Sequence, residues 1–197
     1  MPRKPRQLVD DGCYHIIARG NNRQFIFFAE AAFRHFLTQL AHAKARYPSR
    51  LYHYCLMSNH LHLLLQVARA EDLPHFMQGL LQGYGRWYKT QHRYVGHVWQ
   101  GRYKSPCVAE ESYYLEAGRY IERNPVRAKL VTEPLAYPWS SYGYYAAGRP
   151  DPLVDEDPYY AGLGATPTER QHAYRDFVQL ETPYAPILDA QLLETAF

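Results

Sequence analysis

Two histidines two residues apart, His60 and His62, sit in the most apolar stretch of the chain, Leu51–Gln66 (LYHYCLMSNHLHLLLQ). A β-rich run from Tyr52 to Met57 and an apolar run from Leu61 to Val67 flank Ser58-Asn59. That pair reads as a tight turn, because short polar side chains bond their own backbone there. The stretch therefore predicts a β-hairpin, with both histidines at the start of its second strand. Residues two apart on a strand share a face. The imidazoles then project side by side, while Leu61, Leu63 and Leu65 fill the opposite face. Two imidazoles so placed can grip one metal ion. A partly buried, hydrogen-bonded pair fits the triplet equally well.

A second group lies in Ser112–Arg123 (SYYLEAGRYIER), which predicts a helix capped by Ser112. Tyr120 and Asn124, four apart, share a helical face. Glu116 extends the stripe one turn back, and Tyr113 lies a further turn away. If the stripe faces the histidines, a phenol, an amide oxygen and two imidazoles converge. Such a set can bind a divalent ion and a phosphodiester, the ion polarising a non-bridging oxygen while Tyr120 attacks phosphorus. Spacing alone favours a core tyrosine over a nucleophile at Tyr120. It also reads Glu116 as a solvated residue and leaves Tyr113 and Tyr114 as rival nucleophiles. Asn124-Pro125 predicts a helix boundary, with Asn124 as cap of a short helix beginning at Pro125.

The surrounding elements must bring these groups together. Cys13–Arg19 (CYHIIAR) predicts a first strand, ended by Gly20-Asn21-Asn22. Ala29 to about Arg46 has helical apolar spacing through Phe33, Phe36, Leu37 and Leu40. Leu73 to about His92 predicts a second helix, started by Glu71-Asp72, which suit the helix dipole. Its Gly79, Gly83 and Gly85 each weaken it by up to about 1 kcal/mol and point to close packing, for instance on a nucleic-acid backbone. No phosphate-cradling Gly-x-x-x-x-Gly-Lys-Ser/Thr loop is present. Gly96–Ala109 predicts short β segments, and its Trp99, Arg102, Tyr103 and Lys104 combine cations for phosphates with rings for bases. An edge strand with solvated charges is the alternative. The order β-α-β-β-α-β, then a helix, implies an α+β fold: a ferredoxin-like antiparallel sheet with helices on one face. After Val131 the prolines cut the chain into short pieces, with helices expected over Trp139–Ala147 and Thr168–Leu180. Residues 131–197 read as a Pro-rich acidic extension packed on a core of residues 1–130.

Charge divides along the same line. Residues 1–130 hold 19 Lys and Arg against 9 Asp and Glu, or +10, and residues 131–197 hold 3 against 10, or −7. A basic body implies a polyanionic partner, and the acidic tail either folds back on it or keeps it soluble. The 19 tyrosines offer stacking faces for nucleic acid or line partly wet surfaces. Cys13, Cys55 and Cys107 are too few and too scattered for a disulfide frame or a zinc knuckle, which suits a reducing compartment. Neither a signal-type run nor a membrane span follows the basic arm Met1–Arg6. A cytoplasmic protein is expected.

His60-Leu61-His62 within MSNHLHLLL, followed by YIERNPVR (Tyr120–Arg127), resembles the single-tyrosine HUH transposases, and among them the REP-associated tyrosine transposases. YHIIARGNNRQFIF (Tyr14–Phe27), VWQGRYKS (Val98–Ser105) and YPWSSY (Tyr137–Tyr142) resemble that branch too. The likeness touches most of residues 1–145 and fades beyond. It implies the HUH nuclease variant of the ferredoxin-like fold. It implies His60 and His62 as paired metal ligands for Mg²⁺ or Mn²⁺, with Asn124 completing the site. Tyr120 becomes the nucleophile that forms a 5′-phosphotyrosine link and releases a 3′-hydroxyl. The implied substrate is single-stranded DNA beside a repetitive extragenic palindrome, a hairpin with an adjacent guide sequence, cut and rejoined in DNA transposition without a nucleotide cofactor. A phenol ordinarily ionises at about pH 10 and needs activation, for which Glu116 is the candidate. Arg19, Arg23, Arg102, Lys104, Arg119, Arg123 and Arg127 are candidate DNA contacts. A monomer is expected over a dimer. Two positions depart from the family pattern: Ser58, where members often carry proline, and Asn124, which precedes proline. A non-catalytic single-stranded nucleic-acid binder and a metal-dependent hydrolase that uses water remain as alternatives.

Overall fold

The hairpin forms as its sequence requires. β2 (Ser49–Met57) and β3 (His60–Val67) pair antiparallel across Ser58-Asn59, and β1 (Cys13–Arg19) pairs antiparallel with the other side of β3, giving the order β1-β3-β2. The chain is seen in a computed structural model that describes residues 8–108 and 113–180. The turn is pinned from outside: the Ser58 carbonyl accepts the amides of Ile26 and Phe27, and the Asn59 carbonyl accepts that of Gly20.

Period-two alternation sorts the sheet into two faces. Ile16 and Ala18 of β1, Leu61, Leu63 and Leu65 of β3, and Leu51, Tyr54 and Leu56 of β2 build one core. Over it pack α1 (Glu30–Arg46), through Phe33, Phe36 and Leu40, and α2 (Asp72–His92), through Phe76, Met77, Leu80 and Tyr84. The opposite face carries Cys13, Cys55, Met57 and Leu64, covered by Ala117, Tyr120 and Ile121 of α3 (Tyr114–Arg127). The two long helices thus share one face, and the tyrosine-bearing helix takes the face on which His60 and His62 stand. A register shift in β2 between Leu51 and His53 breaks the alternation. It places consecutive residues, Tyr52 and His53, on the α3 face, as a β-bulge does.

Both edges of the sheet are flanked by irregular chain. Beside β1 runs the expected fourth segment, tied by isolated bridges at Gly20–Trp99, Ile17–Lys104 and Tyr14–Cys107. With it the order is that of the ferredoxin-like fold. Beside β2, the Trp139 carbonyl accepts the Leu56 amide, and the Ser141 amide donates to the Tyr54 carbonyl. This pairing ties Trp139–Ser141 to the edge of β2, so α4 begins only at Tyr142 and ends at Ala147, later than the expected start at Trp139. α5 (Pro167–Gln179) opens with a capping box between Thr166 and Glu169 and Pro167 in its first turn.

The extension is wired into the core by charge as well as by rings. Trp139 stacks on Phe33 at 4.5 Å. Asp155 accepts from the Leu51 amide and from Lys44, and Asp151 accepts from the Tyr54 hydroxyl at 2.8 Å. These acidic residues therefore face the core. At the centre, fully buried His53 sits between Glu122 of α3 (3.0 Å) and Asp157 (3.1 Å). Glu122 also accepts from Ser141 at 2.6 Å and from Tyr174 of α5 at 2.7 Å. Burial opposes a charge on His53, but the two carboxylates outweigh it and push its pKa up to about 9.

Three expectations change. α3 does not stop at Asn124; it continues through Pro125 to Arg127. Proline has no amide to give the carbonyl four residues back. The Asn124 side chain supplies the donor instead, its Nδ2 bonding the carbonyls of Ile121 (3.2 Å) and Tyr120 (2.9 Å). The expected Ser112 cap lies outside the described residues. The α2 glycines do not all mark tight packing: a Cβ on Gly79 meets nothing, one on Gly85 makes ordinary contact with Trp99, and only Gly83 is crowded, by Gln39 of α1. The tyrosines too are largely internal. More than half of the 19 are buried, with hydroxyls bound inside the fold, as in Tyr84 to the Ile26 carbonyl and Tyr145 to the Tyr52 carbonyl. Among the described residues no helix is long and apolar enough to cross a membrane.

Candidate active site

His60 and His62 open β3 on the α3 face, their ring centroids 5.0 Å apart. Each has its Nδ1 occupied. His60 Nδ1 lies 2.6 Å from the side-chain oxygen of Asn59. An amide oxygen only accepts, so this nitrogen carries the proton and Nε2 keeps its lone pair. His62 Nδ1 lies 2.9 Å from Nε2 of His15, which projects from β1 onto the same face. Burial holds all three rings neutral. It pulls His15 down to about 4. Burial, with Arg19 nearby, takes His60 to about 4. His62 falls well below its ordinary value through burial, then through His60, His15, Arg127 and Arg19. A neutral imidazole with its second nitrogen hydrogen-bonded is the form in which histidine binds a metal.

Tyr120 arrives from α3. Its ring centroid is 5.8 Å from that of His62 and 5.7 Å from that of His15. The guanidinium of Arg127, two helical turns on, lies over the Tyr120 ring at 4.8 Å. Because the helix continues through Pro125, this cation stays on the tyrosine's face. Among the described ring contacts, Tyr114 instead meets Tyr52 and Tyr159, and Tyr113 packs beside the same cluster.

The other candidate residues divide. Asn124 lies one turn beyond Tyr120; with Nδ2 bonded to the backbone, its oxygen is the atom left to face a ligand. Glu116 is engaged by Arg119 at 2.9 Å, so its carboxylate is already shared with a cation of its own helix. Arg119 is a correction to the expected DNA contacts. It is wholly buried, bonded to Glu116 and the Leu180 carbonyl, and lies over Phe177. Arg123 also reaches the Leu180 carbonyl. Arg19 pairs in register with His60, and Arg23 follows in the exposed turn after β1. Arg102 and Lys104 are exposed on the segment beside β1.

Sequence reasoning missed His15. The signal was present: His15, Ile17 and Arg19 share a face of the first strand. Only the pairing of β1 with β3, a register set across nearly 50 residues, shows which face that is. Among the described residues no three His, Cys, Asp or Glu side chains gather as a metal cage. The donors that would be available to an ion are the imidazoles of His60 and His62 and the amide oxygen of Asn124. Such donors would suit a divalent ion that keeps most of its coordination for water and phosphate oxygens.

The chain from residue 9 to 124 matches the family model described as transposase, IS200-like. No curated protein matches it. Among solved structures, the fold is similar to a REP-associated tyrosine transposase bound to a REP hairpin, with a TM-score of 0.64 at 16% identity over 80% of this chain and 90% of that one. A candidate transposase from Deinococcus radiodurans R1 aligns over 62% of this chain and 97% of its own at 22% identity, with a TM-score of 0.43. The family match covers more than half of the chain, including the hairpin histidines, Tyr120 and Asn124: the chain belongs to the IS200-like transposases.

Proposed function

We propose that this transposase cuts and rejoins single-stranded DNA at a hairpin through a 5′-phosphotyrosine intermediate, with Tyr120 as the nucleophile. One observation carries the reading: a phenol from α3 lies against two neutral imidazoles from neighbouring strands, His62 of the β2–β3 hairpin and His15 of β1, with ring centroids 5.8 and 5.7 Å away. The hairpin bound by the solved relative supports the class of DNA.

The step exchanges one diester for another. Tyr120 Oη attacks phosphorus, an O–P bond forms to the 5′ side and the P–O3′ bond breaks. The phenolic proton leaves to solvent, and the departing 3′ oxygen takes one up. Arg127 and Arg19 set positive charge beside the phosphate. A divalent ion such as Mg²⁺ or Mn²⁺, held by Nε2 of His60, Nε2 of His62 and the Asn124 oxygen, would polarise a non-bridging oxygen. Imidazole donors tilt that preference from Mg²⁺ towards Mn²⁺. His15 orients the His62 ring, and Asn59 that of His60. The phosphotyrosine retains the energy of the broken bond, so a returning 3′-hydroxyl reseals the strand without a nucleotide. The chemistry needs one chain, as a cytoplasmic monomer.

The test is adduct formation with hairpin-bearing single-stranded DNA and Mn²⁺, read as a protein band that carries labelled DNA. Tyr120→Phe is expected to abolish it. An adduct that persists in that variant on Tyr113 or Tyr114 overturns the assignment. Cleavage without any protein-linked DNA points to water as the nucleophile, and hairpin binding without cleavage to a binding protein.

A further inference from the structure

The donors that would be available to a metal ion carry no charge. Burial keeps His60 and His62 neutral, and Asn124 offers an amide oxygen. Behind the two imidazoles stand neutral partners: the Asn59 side-chain oxygen, 2.6 Å from His60 Nδ1, and His15 Nε2, 2.9 Å from His62 Nδ1. A metal-binding histidine backed by a carboxylate is a stronger donor, and neither ring has one. Carboxylates are near in sequence, but they have partners of their own. Glu116 is bound by Arg119 at 2.9 Å, and Glu122 by His53, Ser141 and Tyr174. Among the described residues no further His, Cys, Asp or Glu completes a metal cage with His60 and His62.

The charges that do stand at the site are positive. The Arg127 guanidinium lies 4.8 Å from the centre of the Tyr120 ring, which is itself 5.8 Å from that of His62. Arg19 pairs in register with His60. Both cations act on the ligand rings. After burial, Arg19 lowers His60; after burial, His60 and His15, Arg127 and Arg19 lower His62. A field that resists a proton on these rings resists a doubly charged ion about twice as strongly at the same distance. The same field attracts a phosphate. Ions such as Mg²⁺ are bound through one or two carboxylates together with substrate phosphate. Here the protein offers imidazoles amid positive charge, and the anion must come from elsewhere.

We propose that Arg19 and Arg127 make metal binding conditional on DNA: they hold off a lone cation, and a divalent ion settles on His60 and His62 only together with the scissile phosphate, whose negative charge stands in for a protein carboxylate. The inference rests on the DNA reading above and adds regulation to the same site. No part of the protein has to move for this coupling, because the charge of the substrate supplies it. The metal site is then completed only on a strand already seated at Tyr120.

The experiment follows Mn²⁺ through the loss of its free-ion electron paramagnetic resonance signal, in the full chain carrying Tyr120→Phe so that no strand is cut. Titrations use the protein alone and with hairpin-bearing single-stranded DNA. Mn²⁺ taken up by the DNA itself is subtracted with a His60→Ala/His62→Ala variant. DNA is expected to tighten Mn²⁺ binding at least about tenfold, and Mn²⁺ to tighten DNA binding by the same factor, as linkage requires. One uncharged methylphosphonate, placed where the wild-type adduct maps, should cancel both gains and leave metal-free hairpin binding nearly unchanged. Arg127 is exposed, and Arg127→Gln should tighten Mn²⁺ on the DNA-free protein about fivefold while weakening DNA binding. Asn59→Asp keeps the acceptor for His60 and adds a negative charge behind it. It should also tighten Mn²⁺ on the DNA-free protein and shrink the gain from DNA. Equal Mn²⁺ affinity with and without DNA overturns the proposal. So does a gain that survives the methylphosphonate, which assigns the coupling to a change of shape, or DNA-free metal binding that neither variant strengthens. If the wild type still forms its Tyr120 adduct in those cases, only the coupling fails. If no hairpin DNA yields an adduct, the DNA reading fails and takes this one with it.

Discussion

Four histidines stand on the α3 face of one sheet, all largely buried, in two opposite states. His15, His60 and His62 have imidazole, amide and guanidinium neighbours, and burial keeps them neutral. His53, one strand away on β2, lies between Glu122 and Asp157 and is held charged. Residue type is the same and burial is similar; the partners decide. A buried histidine given carboxylates becomes a cation that ties elements together, here β2, α3 and the extension. One given no carboxylate keeps a lone pair for an incoming Lewis acid. Proximity to α3 therefore does not make a histidine catalytic.

The sharpest way to break this contrast is to remove one member of each cluster. His60→Ala should cut metal-dependent cleavage by about a thousandfold, since a metal supplies several kcal/mol at the phosphate, and leave thermal stability nearly unchanged. Glu122→Ala should do the reverse. It leaves buried His53 with Asp157 alone and removes the acceptor of Ser141 and Tyr174, at a cost of about 3–5 kcal/mol, read as a fall in Tm of roughly 10 °C. If Glu122→Ala spares stability while His60→Ala unfolds the chain, the two roles have been exchanged.

Acidity separates the clusters without mutation. A histidine raised in the fold stabilises fully below its unfolded value, and the contribution is lost as pH climbs through the folded one. His53 should therefore cost the protein ~3 kcal/mol between pH 6.5 and about 9. For lowered histidines the sign reverses. His15 and His60 give their full contribution above pH 6.5, and stability falls as pH drops towards about 4. Chemical denaturation across pH, without divalent ions, should show two limbs meeting near pH 6.5, and His53→Gln should flatten only the alkaline one. A flattened acid limb in that variant would contradict the assignment.

The smallest effect tests how tightly the charged cluster is packed. A Cβ on Gly118 of α3 would lie 2.6 Å from the His53 ring, which two carboxylates hold still. Gly118→Ala should destabilise by about 1–3 kcal/mol, as urea unfolding would register. A neutral outcome would mean that the ring can move aside.

What could be read from the chain follows from how far each signal reaches. His60 and His62 sharing a face, and Tyr120 and Asn124 sharing another, are local consequences of strand and helix period, and both appear. The order of elements was enough for the fold. What failed to show was set by distant partners. His15 joins the site through strand register, and Arg119 is withdrawn from the surface by Phe177 and Leu180. His53 gains its charge from residues about 70 and 100 positions away. The helix end expected at Pro125 was a local rule overruled by another local device, because the amide that repairs the gap belongs to the residue just before the proline.

The flanked sheet has a consequence for how copies of this protein can meet. Irregular chain carrying Pro106 and Pro138 lies along both margins, so neither outer strand offers the row of unpaired amides and carbonyls on which a second molecule could add its own. Contact between two copies is therefore left to helices and loops rather than to paired strands.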